Sequence, residues 1–174
     1  QTVGWASYEL KRPREDPLFL ACGIFRPHMP WEVPQKYFDM YPLDEIPDLE
    51  VMENDLEDAL VHPRRGWHKF VLENKQWKNV IQAYLASISF ADAQVGRLLD
   101  ALEESGKADE TIVVLWSDHG MHIGEKENWE KFTLWEESTH VPLFVKAPGV
   151  SKPGSLVTQP VSLLDLYPTL VDLS

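Results

Sequence analysis

The stretch TIVVLWSDHGMHIGEKENWEKFTLWE, residues 111–136, passes from a short apolar run straight into a polar loop with no helical pattern between them. The run 111–118 is rich in β-branched residues and ends in an acid, which reads as a buried strand closing at Asp118. Gly120 then lets the backbone turn where a side chain would crowd it. In α/β sheets ligands sit at the carboxyl ends of strands, so the loop after Asp118 is the first place to look for chemistry.

Working outward, residues 74–106 carry apolar side chains at helical spacing, among them Trp77, Val80, Ile81, Tyr84, Leu85 and Ile88. Asn74 is placed to cap this helix and Gly106 to end it, with a bend expected at Ser87-Ile88-Ser89. VPLFVKAP (141–148) reads as a third strand, and SLLDLYPTLVDL (162–173) as a helix opened by Ser162 with Asp165 in capping-box position, kinked at Pro168. DPLFLACGIF (16–25) reads as a further buried strand running into RPHMPWEVP (26–34), where three prolines exclude helix and central strand alike. Residues 42–74 read as an irregular, charged surface excursion. Strands separated by helical patterns imply an α/β fold with a mostly parallel central sheet flanked by helices.

The chain has 174 residues, 44% hydrophobic, with seven Trp, seven Phe and five Tyr, enough for a real core despite thirteen prolines. A net charge of −12 with no basic face argues against a nucleic-acid partner. It does not argue against a small anionic substrate, because a few placed cations in a cleft outweigh a negative exterior. A single cysteine allows no internal disulfide and no CxxC metal site, and no apolar run is long enough to span a membrane. Seven tryptophans and the basic residues Arg64, Arg65 and Lys69 could line a sugar cleft, but core tryptophans and a solvated basic turn are the commoner outcomes.

Four positions near the strand ends carry candidate chemistry. Asp118 and His119 could both ligate a divalent cation, with oxygen-rich company favouring Ca²⁺ or Mg²⁺; they also read as a helix cap and a solvated loop histidine. Lys131, flanked by aromatic residues, could hold an anion's oxygen or simply face solvent. His28, pinned between two prolines, could give a proton to a leaving oxygen or serve the loop's structure.

Taken together, FLACGIFRPHMPWEVPQKYFDMYP, the block from YLASISFADAQ to FVKAPG, and VSLLDLYPTLVDL resemble consecutive blocks of the type I sulfatases of the alkaline phosphatase superfamily. The likeness is strongest to the iduronate-2-sulfatase-like and choline-sulfatase-like branches and weakest over residues 44–70. It implies Ca²⁺ held by Asp118 and His119, a sulfate contact from Lys131, a leaving-group role for His28, and His122 lining the substrate side of the same loop. It also implies a formylglycine nucleophile, whose hydrate attacks sulfur, and a sulfated small molecule or glycan as substrate. Periplasmic or secreted location is common for the family.

Cys22 is not that nucleophile. Cys22-Gly-Ile-Phe-Arg26 has Ile24 where the C-x-P-x-R signature requires proline, and Cys22 is expected in the core. On the resemblance, residues 1–174 form the middle of one sulfatase catalytic domain, with the nucleophile region and C-terminal subdomain elsewhere. Two other readings remain at this point: a phosphonate or phosphate-diester hydrolase of the same superfamily, and a non-catalytic binding relative.

Overall fold

The computed structural model describes residues 1–48, 52, 55–59 and 65–174. The chain forms two compact units, Gln1–Ala108 with Ile123–Trp129, and Asp109–His122 with Glu130–Ser174.

The first unit is helical. Helix α1 (Thr2–Lys11) buries Val3 and Ala6, and α2 (Gln35–Phe38) buries Tyr37. A third helix, α3 (Arg65–Glu73), precedes the 28-residue α4 (Trp77–Glu104). Helix α4 buries Ala86, Ser87, Ala101 and Leu102, and both α1 and α2 pack on it. The Lys11 ammonium of α1 pairs with Glu104 of α4. Tyr37 meets Phe90 edge-on at 5.6 Å, and Tyr41 and Ser89 share a hydroxyl hydrogen bond of 2.6 Å. Helix α4 runs through 87–89 unbroken, so the expected bend is absent. The small Ser87 and the Tyr41-bonded Ser89 serve its packing instead.

The other end-point expectations divide. Gly106 does end α4, at φ 72°, with its N–H on the Glu103 carbonyl. Asn74 does not begin it. The irregular excursion expected over 42–74 contains α3, and the Asn74 side chain donates to the Phe70 carbonyl at 2.8 Å, closing that helix. Lys69 pairs along α3 with Glu73 at 3.7 Å, a solvated contact; Arg64 and the Arg65 side chain lie outside the described residues.

Residues 16–25 are not the expected buried strand. They form no ladder, and burial alternates, with Leu20, Cys22 and Ile24 half-covered while Phe19 is 84% and Phe25 63% exposed. The period-two pattern is that of a strand with one face covered and no ladder partner among the described residues. Cys22 is accordingly half-buried rather than a core residue.

The segment Ile123–Trp129, part of the first unit, is held there through Trp129 and Lys126. Trp129 packs edge-on against Trp77 at 5.8 Å and donates its indole N–H to His68. Lys126, at φ 54°, sends its backbone N–H to Asp55 Oδ2 (2.9 Å) and its ammonium to Asp55 Oδ1 (3.0 Å) and Asp58 (2.9 Å). The Lys126 hydrogen bond holds the Asp55 carboxyl below its ordinary range, against the upward pull of burial. The folded chain therefore binds this proton more weakly than the unfolded chain does. The stabilisation is present above the ordinary carboxylate range and is lost as pH falls through the folded value. We expect Asp55→Asn to flatten the acid side of the stability curve, read as urea midpoints between about pH 7 and pH 3. An unchanged acid slope would contradict this.

In the second unit β1 (Val113–Trp116) pairs with β4 (Leu143–Lys146), Val113 opposite Lys146 and Trp116 opposite Leu143. Both expected strands form, and the α/β class stands. The pairing is antiparallel, however, where parallel members were expected. Parallel neighbours need a crossover that returns the chain to the starting end. The connection 117–142 instead leaves and re-enters at one end, bridged by the Ser117 N–H on the Pro142 carbonyl. It contains β2 (His122–Ile123), β3 (Trp129–Glu130) and the single turn α5 (Glu136–Thr139). The strands are less covered than their apolar runs imply, with Trp116 48% and Phe144 63% exposed. Ser162 caps the C-terminal segment as expected, accepting the Leu164 N–H, but onto a 3₁₀ turn (163–165) that leads into α6 (Leu166–Leu173). Pro168 thus falls in the first turn of α6, where no N–H is missed.

Candidate active site

Asp118 and His119 follow β1 directly, at the strand's carboxyl end. Two hydrogen bonds shape the turn: Ser117 Oγ donates to the His119 carbonyl at 2.7 Å, and the Gly120 N–H to the Ser138 carbonyl at 2.8 Å. Gly120 has no room for a side chain, since a Cβ there would lie 2.0 Å from the Glu137 carbonyl oxygen. The sequence expectation for this glycine is met by a backbone contact.

His119 Nδ1 lies 2.7 Å from the Gly120 carbonyl. A carbonyl only accepts, so Nδ1 carries the hydrogen and Nε2 of the neutral ring presents its lone pair. Lys131 Nζ lies 2.8 Å from that Nε2, and an Asp118 carboxylate oxygen 3.5 Å from it. The structure therefore gathers Asp118, His119 and Lys131 at one point: an exposed carboxylate, an imidazole acceptor and an ammonium. A histidine that donates Nδ1–H to a backbone carbonyl has the tautomer and orientation of a metal ligand. Asp118 offers an oxygen donor of the kind a hard divalent cation takes, while His119 Nε2 is a nitrogen donor that accepts from Lys131 here and would have to exchange that bond for the metal. The described residues hold no cluster of three or more such donors.

His122 departs from expectation. It is fully buried, so it lies beneath the loop and not on a surface a substrate touches. Its Nε2 is 2.7 Å from Thr133 Oγ1. Thr133 in turn donates to Ser138 Oγ (3.0 Å), and Ser138 to the Lys131 carbonyl (3.0 Å). Neither Thr133 nor Ser138 was legible as a site residue. The only cue is an inverted alternation, with Phe132 76% and Leu134 95% exposed on either side of a half-buried Thr133.

His28 belongs to the first unit. Arg26 ties its loop, reaching the Glu32 carbonyl through Nη2 at 3.1 Å, and Trp31 donates its indole N–H to the Pro27 carbonyl at 2.7 Å. The ring stands 4.9 Å from that of Phe25. His28 Nδ1 lies 2.7 Å from the Met29 carbonyl, the same next-residue bond that His119 makes, so in the neutral ring Nδ1 carries the hydrogen and Nε2 is the acceptor.

The family model for sulfatases matches residues 2–174. The chain belongs to the sulfatase family. It is 42% identical to a sulfatase of Formosa agariphila over 100% of this chain and 36% of the relative. It is 34% identical to a choline-sulfatase of Rhizobium meliloti, covering 96% and 34%, and 31% identical to human iduronate 2-sulfatase, covering 95% and 37%. The chain thus spans about a third of the length of the curated relatives it matches. Among solved structures, a Bacteroides fragilis protein assigned as a sulfatase superposes on 98% of this chain and 35% of its own, at 28% identity and a TM-score of 0.76. A phosphonate monoester hydrolase from Silicibacter pomeroyi superposes on 85% of this chain and 32% of its own, at 26% identity and a TM-score of 0.69. The sulfatase branch resemblance read from the sequence blocks is therefore met, and the partial α/β architecture is that of these neighbours. Among the described residues no helix is long and apolar enough to cross a membrane.

Proposed function

We propose that the protein containing this chain hydrolyses sulfate esters, with Asp118, His119 and Lys131 forming the part of its active site that handles the anion. The observation that carries this reading is the convergence of carboxylate, imidazole lone pair and ammonium at the end of β1, on a chain of the sulfatase family. Asp118 and His119 would hold Ca²⁺, which when bound supplies fixed positive charge beside the sulfuryl oxygens. Lys131 donates to one of those oxygens, stabilising charge that grows there as the ester bond breaks. His28, in its protonated form, hands the Nε2 proton to the departing alkoxide while Nδ1–H stays on Met29. The nucleophile is proposed to be a formylglycine hydrate supplied by another part of the protein.

A leaving-group acid matters in proportion to how poor the leaving group is. His28→Ala should cost about 10²–10⁴-fold on alkyl sulfates and much less on nitrophenyl sulfates. Equal losses on both would remove His28 from that role. The likeness to a phosphonate monoester hydrolase favours a second reading, in which the same residues hold a phosphonate ester. Turnover of an aryl sulfate against the matching aryl phosphonate ester by the full-length protein separates the two. Preference for sulfate supports the proposal, and preference for phosphonate overturns it.

A further inference from the structure

The buried hydrogen-bonded chain under the loop has a direction that can be worked out. The Lys131 carbonyl can only accept, so the Ser138 hydroxyl proton is committed to it. Ser138 Oγ therefore accepts the Thr133 proton, and Thr133 Oγ1 in turn accepts from His122 Nε2–H. A neutral imidazole has one N–H, so His122 Nδ1 is bare; it is buried and has no hydrogen-bond partner among the described residues. Every proton in the chain points toward the Lys131 carbonyl, which also accepts the Thr133 backbone N–H.

That carbonyl sits at a backbone position needing restraint. Glu130, the preceding residue, adopts φ 75°, in the left-handed region that a residue with a Cβ rarely occupies. Lys131 leaves this turn to bring Nζ to His119. Two donors on its carbonyl keep the backbone from relaxing, and a buried ring backs one of them through two hydroxyls. The exposed Phe132 and Leu134 on either side show that the segment is not held by burial of its apolar side chains.

We infer that His122, Thr133 and Ser138 are positioning residues, a relay that fixes the Lys131 backbone so that its ammonium stands beside the anion. The inference rests on the reading of Lys131 as the sulfate contact, and it touches no substrate itself.

A double-mutant cycle in the full-length protein tests it, using a fluorogenic aryl sulfate whose good leaving group keeps slow variants measurable. Thr133→Val removes the hydroxyl at nearly constant shape and should lower kcat/KM about tenfold through misplacement of Lys131. Thr133→Ser, which keeps the hydroxyl, should restore it to within about threefold, and Ser138→Ala should repeat the valine loss if valine itself folds poorly. In a Lys131→Ala background the Thr133→Val loss should shrink to less than about twofold, because there is no ammonium left to misplace. A Thr133→Val loss of equal size in both backgrounds, or none in either, overturns the relay while leaving the role of Lys131 intact. Full activity of Lys131→Ala alone overturns the reading on which the relay rests.

Discussion

Lys131→Ala in the full-length protein should lower kcat/KM for an aryl sulfate by about 10²–10³-fold, with most of the loss in kcat. The reason is geometric. Lys131 Nζ lies 2.8 Å from His119 Nε2, and an Asp118 carboxylate oxygen lies 3.5 Å from that same nitrogen, so on the proposed reading the ammonium stands beside the two residues that would hold the cation. Charge on the sulfuryl oxygens grows toward the transition state, and a donor aimed at that charge contributes more there than to ground-state binding. Lys131→Arg should recover only part of the rate, because a planar guanidinium cannot reproduce a single ammonium contact at the same reach. Steady-state kinetics of the three proteins decide it. A loss confined to KM would make Lys131 a ground-state binder, and no loss at all would remove it from the site.

Gly120→Ala should be the most damaging single methyl addition in the loop. Its Cβ would fall 2.0 Å from the Glu137 carbonyl oxygen and 3.3 Å from the Ser138 Cα, both backbone atoms of α5 itself. Relief requires moving that backbone, which also carries the Ser138 carbonyl bonded by the Gly120 N–H. Overpacking of this kind costs about 1–3 kcal/mol, and the lost hydrogen bond adds about 1 kcal/mol. Because Ser138 is also the last link to the Lys131 carbonyl, activity should fall further than stability alone accounts for. Urea unfolding and aryl sulfate turnover, measured together on Gly120→Ala, test both parts. A wild-type urea midpoint would show that the turn yields freely.

Much of this was legible in the residues because short-range pattern and fixed strand ends carry it. Helical spacing found the body and the end of α4 but not its start, and the apolar runs at 111–118 and 141–148 found β1 and β4. A polar loop at a strand's end drew attention to Asp118 and His119, whereas Lys131 entered the site only through the resemblance to sulfatases. What stayed hidden depended on pairing at a distance. Strand direction is set by which end a connection returns to, and the composition of 117–142 does not say. Helix α3 was masked by charge and by Pro63 just before it, and the strand-like run 16–25 reads the same whether or not a neighbour pairs with it. His122 was misread because a histidine in a polar loop is usually exposed, whereas its partner Thr133 lies eleven residues on, in a segment whose apolar side chains face outward.

The measurement that tests the account most directly is aryl sulfate turnover by the full-length protein before chelation, after chelation, and after Ca²⁺ is restored, for the wild type and for Asp118→Asn. The account predicts turnover that falls on chelation and returns with Ca²⁺ in the wild type, and an Asp118→Asn protein that needs far more Ca²⁺ to recover any rate. Turnover indifferent to chelation, or an Asp118→Asn protein with the wild-type Ca²⁺ requirement, would contradict it.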